Sequence, residues 1–186
     1  MRLPDPVAGR ECGPCTACCT EMAVNDPDLV KPANQICVHM RAGQGCAVHD
    51  HLNATCRHWY CGWRFLHLSD AMRPDRSHVL LSPELGTTPG FEKGGLRVVL
   101  IGGDRAALGH EELLTLIAKC VLGGVPVFLS WGEGDFAKRA LVNEAAAPAV
   151  RAGDKARFTD VLAGLMDGLV RQVAMDVITA QNSRPR

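Results

Sequence analysis

The chain has 186 residues, 47% of them hydrophobic and 22% charged, and a formal net charge of zero. This composition is typical of a folded globular protein and argues against intrinsic disorder. The charge balance argues against a domain that binds nucleic acid by neutralising phosphates, and no apolar run approaches the roughly 20 residues that span a bilayer.

The N-terminal residues contain no apolar stretch of the roughly 7–15 residues that a secretory signal needs. We therefore expect a cytoplasmic protein, in a compartment where structural disulfides rarely persist. Its partner is expected to be a protein or a small molecule of unknown identity, with no nucleic acid and no membrane.

Cysteines dominate residues 8–68, which begin with the motif "CGPCTACC". This segment is broken by Pro and Gly and has no long periodic apolar pattern, so it needs a metal or cross-links to fold. Metal binding is the leading interpretation, and disulfides and redox chemistry are the alternatives. The predicted metal ligands are Cys12, Cys15, Cys18, Cys19, Cys37, Cys46, Cys56 and Cys61.

Thiolates are soft ligands that favour zinc and iron–sulfur clusters, so the expected cofactor is zinc or iron, with a 4Fe–4S cluster as one form. Adjacent side chains diverge, so Cys18 and Cys19 are not expected to bind one tetrahedral ion together. One of them belongs to a second site or bridges two metals. Eight thiols would suffice for two four-sulfur sites, or for one cluster and a structural zinc. Four histidines near the cysteines could replace a thiolate or donate a hydrogen bond: His39, His49, His51 and His58.

The order of these cysteines resembles the CxxCxxCC (YkgJ-type) cysteine-cluster family, to which zinc or iron chelation is attributed. The matching pieces are "CGPCTACC", "CVHM", "CAVH" and "CRHWYC", which together span roughly residues 10–65. The resemblance implies metal binding through the eight cysteines. The same motif occurs in a group of flagellin lysine N-methylases, where it is associated with an iron–sulfur cluster.

Residues 69–77 are predicted to be a polar connector, and regular elements follow it. Short apolar runs predict strands over 78–82, 96–102 and 125–131, with a further strand over 136–142. A loop is predicted over 87–95 and a turn over 132–135. Acidic residues at one end and glycines at the other predict a helix over 109–124. A second helix, with Asp154 as its N-cap, is predicted to run from Lys155 into the 170s.

These patterns predict an α+β protein. Its first part is a small irregular Cys-rich metal-binding module over residues 8–68. Its second part, over residues 75–177, is a mixed region of short strands covered by two helices, and its role is open.

A second site is harder to find in the sequence. A Gly-Gly-Asp turn inside the segment Val98–Gly109 is the nearest candidate for a cofactor loop, but it lacks the G-x-G-x-x-G spacing, and such turns are common for steric reasons. Whether the protein is an enzyme stays open. The alternatives to simple metal binding are an iron–sulfur-dependent enzyme, such as a protein lysine N-methylase or a redox catalyst, and a zinc-stabilised protein-interaction module.

Overall fold

The computed structural model describes residues 4–59, 61–84, 92, 94–131 and 138–182. It confirms the α+β fold class, with a cysteine-rich first part and a four-stranded mixed sheet in the second part. Among the described residues, no helix combines the length and the apolar character needed to span a membrane.

The cysteine-rich module is built from very short elements. In chain order they are α1 (Ala17–Glu21), β1 (Val24–Asp26), β2 (Leu29–Lys31), β3 (Met40–Arg41), β4 (Gly45–Cys46), a 3₁₀ turn (His49–His51), α2 (Ala54–His58) and α3 (Gly62–Phe65). The strands form two antiparallel hairpins, β1–β2 and β3–β4. Elements of two to five residues bury little apolar surface of their own, which agrees with the predicted need for a further stabilising group.

The second region contains the main sheet and three longer helices. Its elements are β5 (Val79–Glu84), β6 (Gly95–Leu100), α5 (Glu111–Leu122), β7 (Val127–Trp131), β8 (Lys138–Leu141), α6 (Asn143–Ala152) and α7 (Lys155–Asn182). The sheet order is β5-β6-β7-β8; β6 and β7 are parallel, because α5 crosses between them, and the other two pairs are antiparallel. All four predicted strands and both predicted helices are present.

The core lies between the sheet and the helices. Strand β6 alternates between buried and half-buried side chains, as expected of a strand with one face on the core, whereas four of the five residues of β7 are buried. The predicted stripe of α7 faces this core with Phe158, Leu162, Met166 and Leu169, each at most 4% exposed. Asp154 caps α7 as predicted, since its Oδ1 accepts a hydrogen bond from the Arg157 N–H at 2.9 Å.

Two expectations for this region need correction. The second region has three helices rather than two: α6 was not predicted, because its buried residues are the small Ala146 and Ala149 and because it contains Pro148. The connector is not a simple polar linker. It forms a 3₁₀ turn over Asp70–Met72 and a helical turn, α4, over Pro74–Ser77, in which proline takes the first helical position. The predicted turn over 132–135 and most of the predicted loop over 87–95 lie outside the described residues.

The end of the module shares the core of the second region. Cys61, Trp63 and Met72 belong to the same buried cluster as the sheet residues. A Cβ on Gly62 would stand 2.8 Å from the Cβ of Leu81, so only glycine lets α3 approach β5 this closely. The module is therefore anchored on the edge strand of the sheet through α3.

The buried carboxylate of Glu84, the last residue of β5, stabilises the sheet. The Glu84 side chain is 1% exposed, and its Oε2 accepts hydrogen bonds from Arg97 at 3.2 Å and Arg139 at 2.7 Å. Burial raises the pKa of Glu84, but the two guanidinium groups outweigh it and hold this pKa below its usual value. A depressed pKa in the folded state stabilises the fold above the usual pKa and loses this effect as the pH falls through the folded value.

We expect Glu84→Gln to lower the free energy of unfolding at pH 7 by about 2 kcal/mol, because it leaves two arginines beside a neutral side chain. The difference from the unmodified protein should shrink as the pH falls through the lowered pKa of Glu84, where Glu84 itself becomes protonated. Thermal unfolding over a series of decreasing pH values from pH 7 measures this, with the exposed Glu144→Gln as the matched control. A difference that stays constant down to the pH of acid unfolding would contradict the assignment.

Candidate metal centre

All eight predicted cysteine ligands line one cavity of about 280 Å³. They reach it from positions spread over 50 residues of the chain, so the fold of the module, and not sequence proximity alone, brings them together. The ninth cysteine, Cys120, lies in α5, half-buried against the main core. All nine cysteines are free, and none is joined in a disulfide.

The first cysteines sit in a turn and a short helix. The N–H of Cys15 donates to the carbonyl of Cys12 at 3.0 Å, which closes the C-x-x-C turn. Cys18 and Cys19 follow in α1, which places their side chains about 100° apart around the helix axis. Cys61 stands at the N-cap position of α3, where the carbonyl of Cys61 accepts a hydrogen bond from the Arg64 N–H.

Backbone hydrogen bonds connect two of the remaining cysteines, Cys37 and Cys46, to Cys19. The N–H of Cys37 donates to the carbonyl of Cys19, and the N–H of Met40 donates to the carbonyl of Cys37, both at 3.0 Å. Met40 is paired with Cys46 across the β3–β4 hairpin. Cys56 lies in α2, whose N-cap residue Asn53 accepts from the Cys56 N–H at 2.8 Å.

Helix α2 is tied to the first hairpin by a buried aspartate. The carboxylate of Asp26 accepts hydrogen bonds from both the N–H and the hydroxyl of Thr55, at 3.1 and 3.2 Å. These bonds to the charged form lower the pKa of Asp26. The cysteine of α2 is thereby held against the strand that follows α1.

Three cationic side chains that the sequence analysis did not identify line the cavity: Lys31, Arg57 and Arg64. The contacts of Lys31 and Arg64 bear directly on the cysteine segments. Lys31 is 5% exposed, and its Nζ donates to the carbonyls of Thr20, Pro32 and Gln35 at 2.8–3.0 Å. The Nη1 of Arg64 lies 3.9 Å from the sulfur of Cys12. No spacing rule marks either residue, since a lysine in a short strand and an arginine after a cysteine are common in any sequence.

Arg10 fastens the segment before Cys12 to helix α3. Its guanidinium donates to the carbonyls of Trp63, Leu66 and Leu68, and it lies over the Trp63 ring at 5.0 Å from the centroid. The first cysteine turn is therefore held beside Cys61 by an arginine outside the cavity.

Burial makes most of these thiols weak acids. It raises the pKa of Cys15, Cys46 and Cys56, and it raises the pKa of Cys61 to about 11. Thiols with raised pKa values are protonated at neutral pH, so a metal has to displace their protons on binding.

Cys18 and Cys19 are consecutive residues whose thiols have opposite pKa shifts. The Cys18 thiol donates to the sulfur of Cys19, and this bond together with burial raises the pKa of Cys18. The same hydrogen bond, assisted by the charge of Lys31, lowers the pKa of Cys19 to about 7. Cys19 is therefore the thiol in the cavity that loses its proton most readily among those with a resolved shift.

The donor set fits zinc or iron in its chemistry, although the side chains do not yet form a coordination shell. Among the described residues, no three His, Cys, Asp or Glu side chains stand close enough together to hold one ion. Among the residues that the structure describes, the cavity is lined by eight thiols and no carboxylate, a choice of donors that favours soft metals over magnesium or calcium. Metal binding would therefore have to draw the sulfurs inward, as is usual for sites that form together with the metal.

The histidines near the cysteines divide into two pairs. His39 and His49 line the cavity, and His51 and His58 are not among its lining residues. The Nδ1 of His58 lies 2.9 Å from the carbonyl of Ala54, one turn earlier in α2. Only the first pair is placed to replace a thiolate or to hydrogen-bond to one.

The two tryptophans near the end of the cysteine-rich module, Trp59 and Trp63, lie in different parts of the structure. Trp59 lines the cavity and shields it from solvent, together with apolar residues of the module. Trp63 is 4% exposed, packs in the main core and donates its Nε1–H to the carbonyl of Ser69 at 3.1 Å. Tyr60 lies outside the described residues.

The Gly-Gly-Asp turn has a steric explanation. Gly102 and Gly103 both have positive φ angles, and a Cβ on Gly103 would stand 2.2 Å from the Trp131 ring. Asp104 accepts a hydrogen bond from the N–H of Ala106 and lies 2.8 Å from the Nδ1 of His78. These contacts account for all three residues without a cofactor.

One glycine lets the first cysteine turn approach the β3–β4 hairpin. Gly45 has a φ of +90°, and a Cβ there would stand 2.5 Å from the backbone oxygen of Gly13. We expect Gly45→Ala to lower the free energy of unfolding by about 3 kcal/mol, since it adds a backbone clash to the roughly 1–2 kcal/mol of a left-handed alanine. Urea denaturation measures this loss. Gly43→Ala is the matched control, because Gly43 also has a positive φ but open space around it; equal losses in the two variants would contradict the clash.

Comparison of the chain with protein families, curated proteins and solved structures found no match. The resemblance to the CxxCxxCC family stays a prediction that rests on its cysteine spacing.

Proposed function

We propose that the cavity lined by the eight cysteines binds zinc or iron, with iron held as an iron–sulfur cluster. One observation carries this proposal: cysteines from four separate pieces of the module all face one cavity. Packing alone does not explain eight free thiols at one cavity. The raised pKa values among them and the apolar lining indicate no hydrogen-bond network that would stabilise them together.

The surroundings of the thiols also suit a metal. Four thiolates exceed the charge of a divalent ion by two, and Lys31 and Arg64 place positive charge at the cavity wall. Apolar residues such as Val24, Leu29 and Leu80 line the rest, which slows the entry of water and of competing ligands. A bound zinc would supply a structural clamp, and an iron–sulfur cluster would supply electron transfer or Lewis acidity.

The proposal is tested by metal and acid-labile sulfide analysis, with a visible spectrum, on protein purified without oxygen. Zinc on a colourless protein would make the centre a structural clamp. Brown protein with iron and sulfide would make it an iron–sulfur centre and would favour the enzyme alternative. Protein that carries neither metal, and takes up neither zinc nor iron with sulfide on reconstitution, would overturn the proposal.

A zinc-stabilised interaction module is the second candidate, favoured by exposed apolar side chains beside the cavity. Val30, Ile36 and Val38 are 65–74% exposed, and two of them flank the ligand candidate Cys37. This candidate requires zinc and no redox activity. A reversible redox wave from the purified protein would exclude it.

A further inference from the structure

The eight cysteines approach the cavity in two sets. In the first set, the turn that contains Cys12 and Cys15 is placed beside α3 by Arg10, and the sulfur of Cys12 lies 3.9 Å from Arg64, three residues after Cys61. This arrangement brings the first turn of the chain to the last cysteine of the module.

The second set is joined through the backbone. Cys37 is hydrogen-bonded to the carbonyl of Cys19, Met40 is hydrogen-bonded to the carbonyl of Cys37, and Met40 is paired with Cys46. Cys56 reaches the same place on α2, which Asp26 holds against the first hairpin.

Helix α1 divides its two cysteines between the sets. The carbonyl of Cys19 accepts the hydrogen bond from the Cys37 N–H, which places Cys19 in the second set. Cys18 precedes it in α1, about 100° away around the helix axis, and completes the first set.

We propose that the cavity holds two four-sulfur metal centres side by side, one formed by Cys12, Cys15, Cys18 and Cys61 and the other by Cys19, Cys37, Cys46 and Cys56. This partition rests on the metal-binding function proposed above. The two centres meet at α1, where Cys18 and Cys19 are consecutive residues. A cation lies at the edge of each centre: Arg64 lies beside Cys12, and Lys31 binds the carbonyls of Thr20 and Gln35, between Cys19 and Cys37.

The partition predicts how metal is lost from paired variants. When it is loaded with zinc alone, the Cys61→Ser variant should keep half of the zinc that the unmodified protein binds. The double variant Cys12→Ser/Cys61→Ser should keep the same half, because both residues serve one centre. The same holds for Cys37→Ser and Cys37→Ser/Cys56→Ser. Cys37→Ser/Cys61→Ser, which damages both centres, should lose all of it, whereas the control Cys120→Ser should keep the full amount.

A second measurement on the unmodified chain covers the case in which paired variants do not fold. The zinc-loaded protein is partly stripped with a chelator and then labelled with N-ethylmaleimide, and the labelled cysteines are identified by mass spectrometry. The eight thiols should become labelled in two sets of four, each set as a unit.

The outcomes separate the partition from the metal-binding function. Zinc-loaded protein whose eight cysteines lose protection together, or in any other grouping, would overturn the partition and leave metal binding standing. Protein that binds neither zinc nor iron would overturn both.

Discussion

Replacing Cys15 with serine is expected to remove at least one metal equivalent and to destabilise residues 10–65. The serine keeps the size of the side chain but removes a thiolate from the first cysteine turn. Structural zinc supplies roughly 10–16 kcal/mol in small metal-dependent domains, as much as the whole stability of an ordinary domain. A module of two- to five-residue elements has no core that replaces this contribution.

Metal analysis and hydrogen exchange check this prediction together. The amides of the module should exchange faster, and those of β6 and β7 should keep their protection, because the sheet has its own core against α5 and α7. Cys120→Ser is the matched control, since Cys120 is a half-buried thiol outside the cavity and its replacement should leave the metal content unchanged. Full metal content in Cys15→Ser would remove Cys15 from the ligand set. Lost metal with unchanged protection would show that the metal does not hold the module together.

Much of the second region could be predicted, because its elements are long enough for periodicity to show. The strands were predicted from short apolar runs, and the stripe from Phe158 to Leu169 has a clear helical period. Helix α6 could not be found this way, since it buries only alanines and contains Pro148, a residue that usually ends a helix. The connector was misjudged because its polar residues hide Met72, which is 2% exposed in the core.

The candidate site was predicted in its residues but not in its arrangement. Cysteine spacing alone identified the eight cysteines that line the cavity. It left open how they group, because grouping depends on backbone contacts such as the one between Cys37 and Cys19, which no local pattern encodes. The cationic side chains at the cavity could not be predicted for a similar reason. The ammonium group of Lys31 donates to three carbonyls that come from residues 20–35, and no local sequence pattern encodes these contacts.

Lys31→Met is expected to lower the free energy of unfolding of the module by about 4 kcal/mol. Methionine fills the space of the lysine stem but has no donor for the carbonyls of Thr20, Pro32 and Gln35, and an unsatisfied buried acceptor costs about 1–3 kcal/mol. The loss is less than the sum of three such costs because freed carbonyls relax toward water. Urea denaturation followed by tryptophan fluorescence measures it, since Trp59 lines the cavity.

Lys155→Met separates this effect from the simple loss of a positive charge. Lys155 is 62% exposed at the start of α7, so its replacement should change the free energy of unfolding by no more than about 0.5 kcal/mol. The Lys31 variant should also release zinc to a chelator faster than the control, because Lys31 joins the segments that follow Cys19 and precede Cys37 and places a positive charge near both thiols. Equal unfolding midpoints in the two variants would mean that the backbone around Cys19 holds its shape without the lysine. Faster zinc release at an equal midpoint would assign Lys31 an electrostatic role at the metal and no structural one.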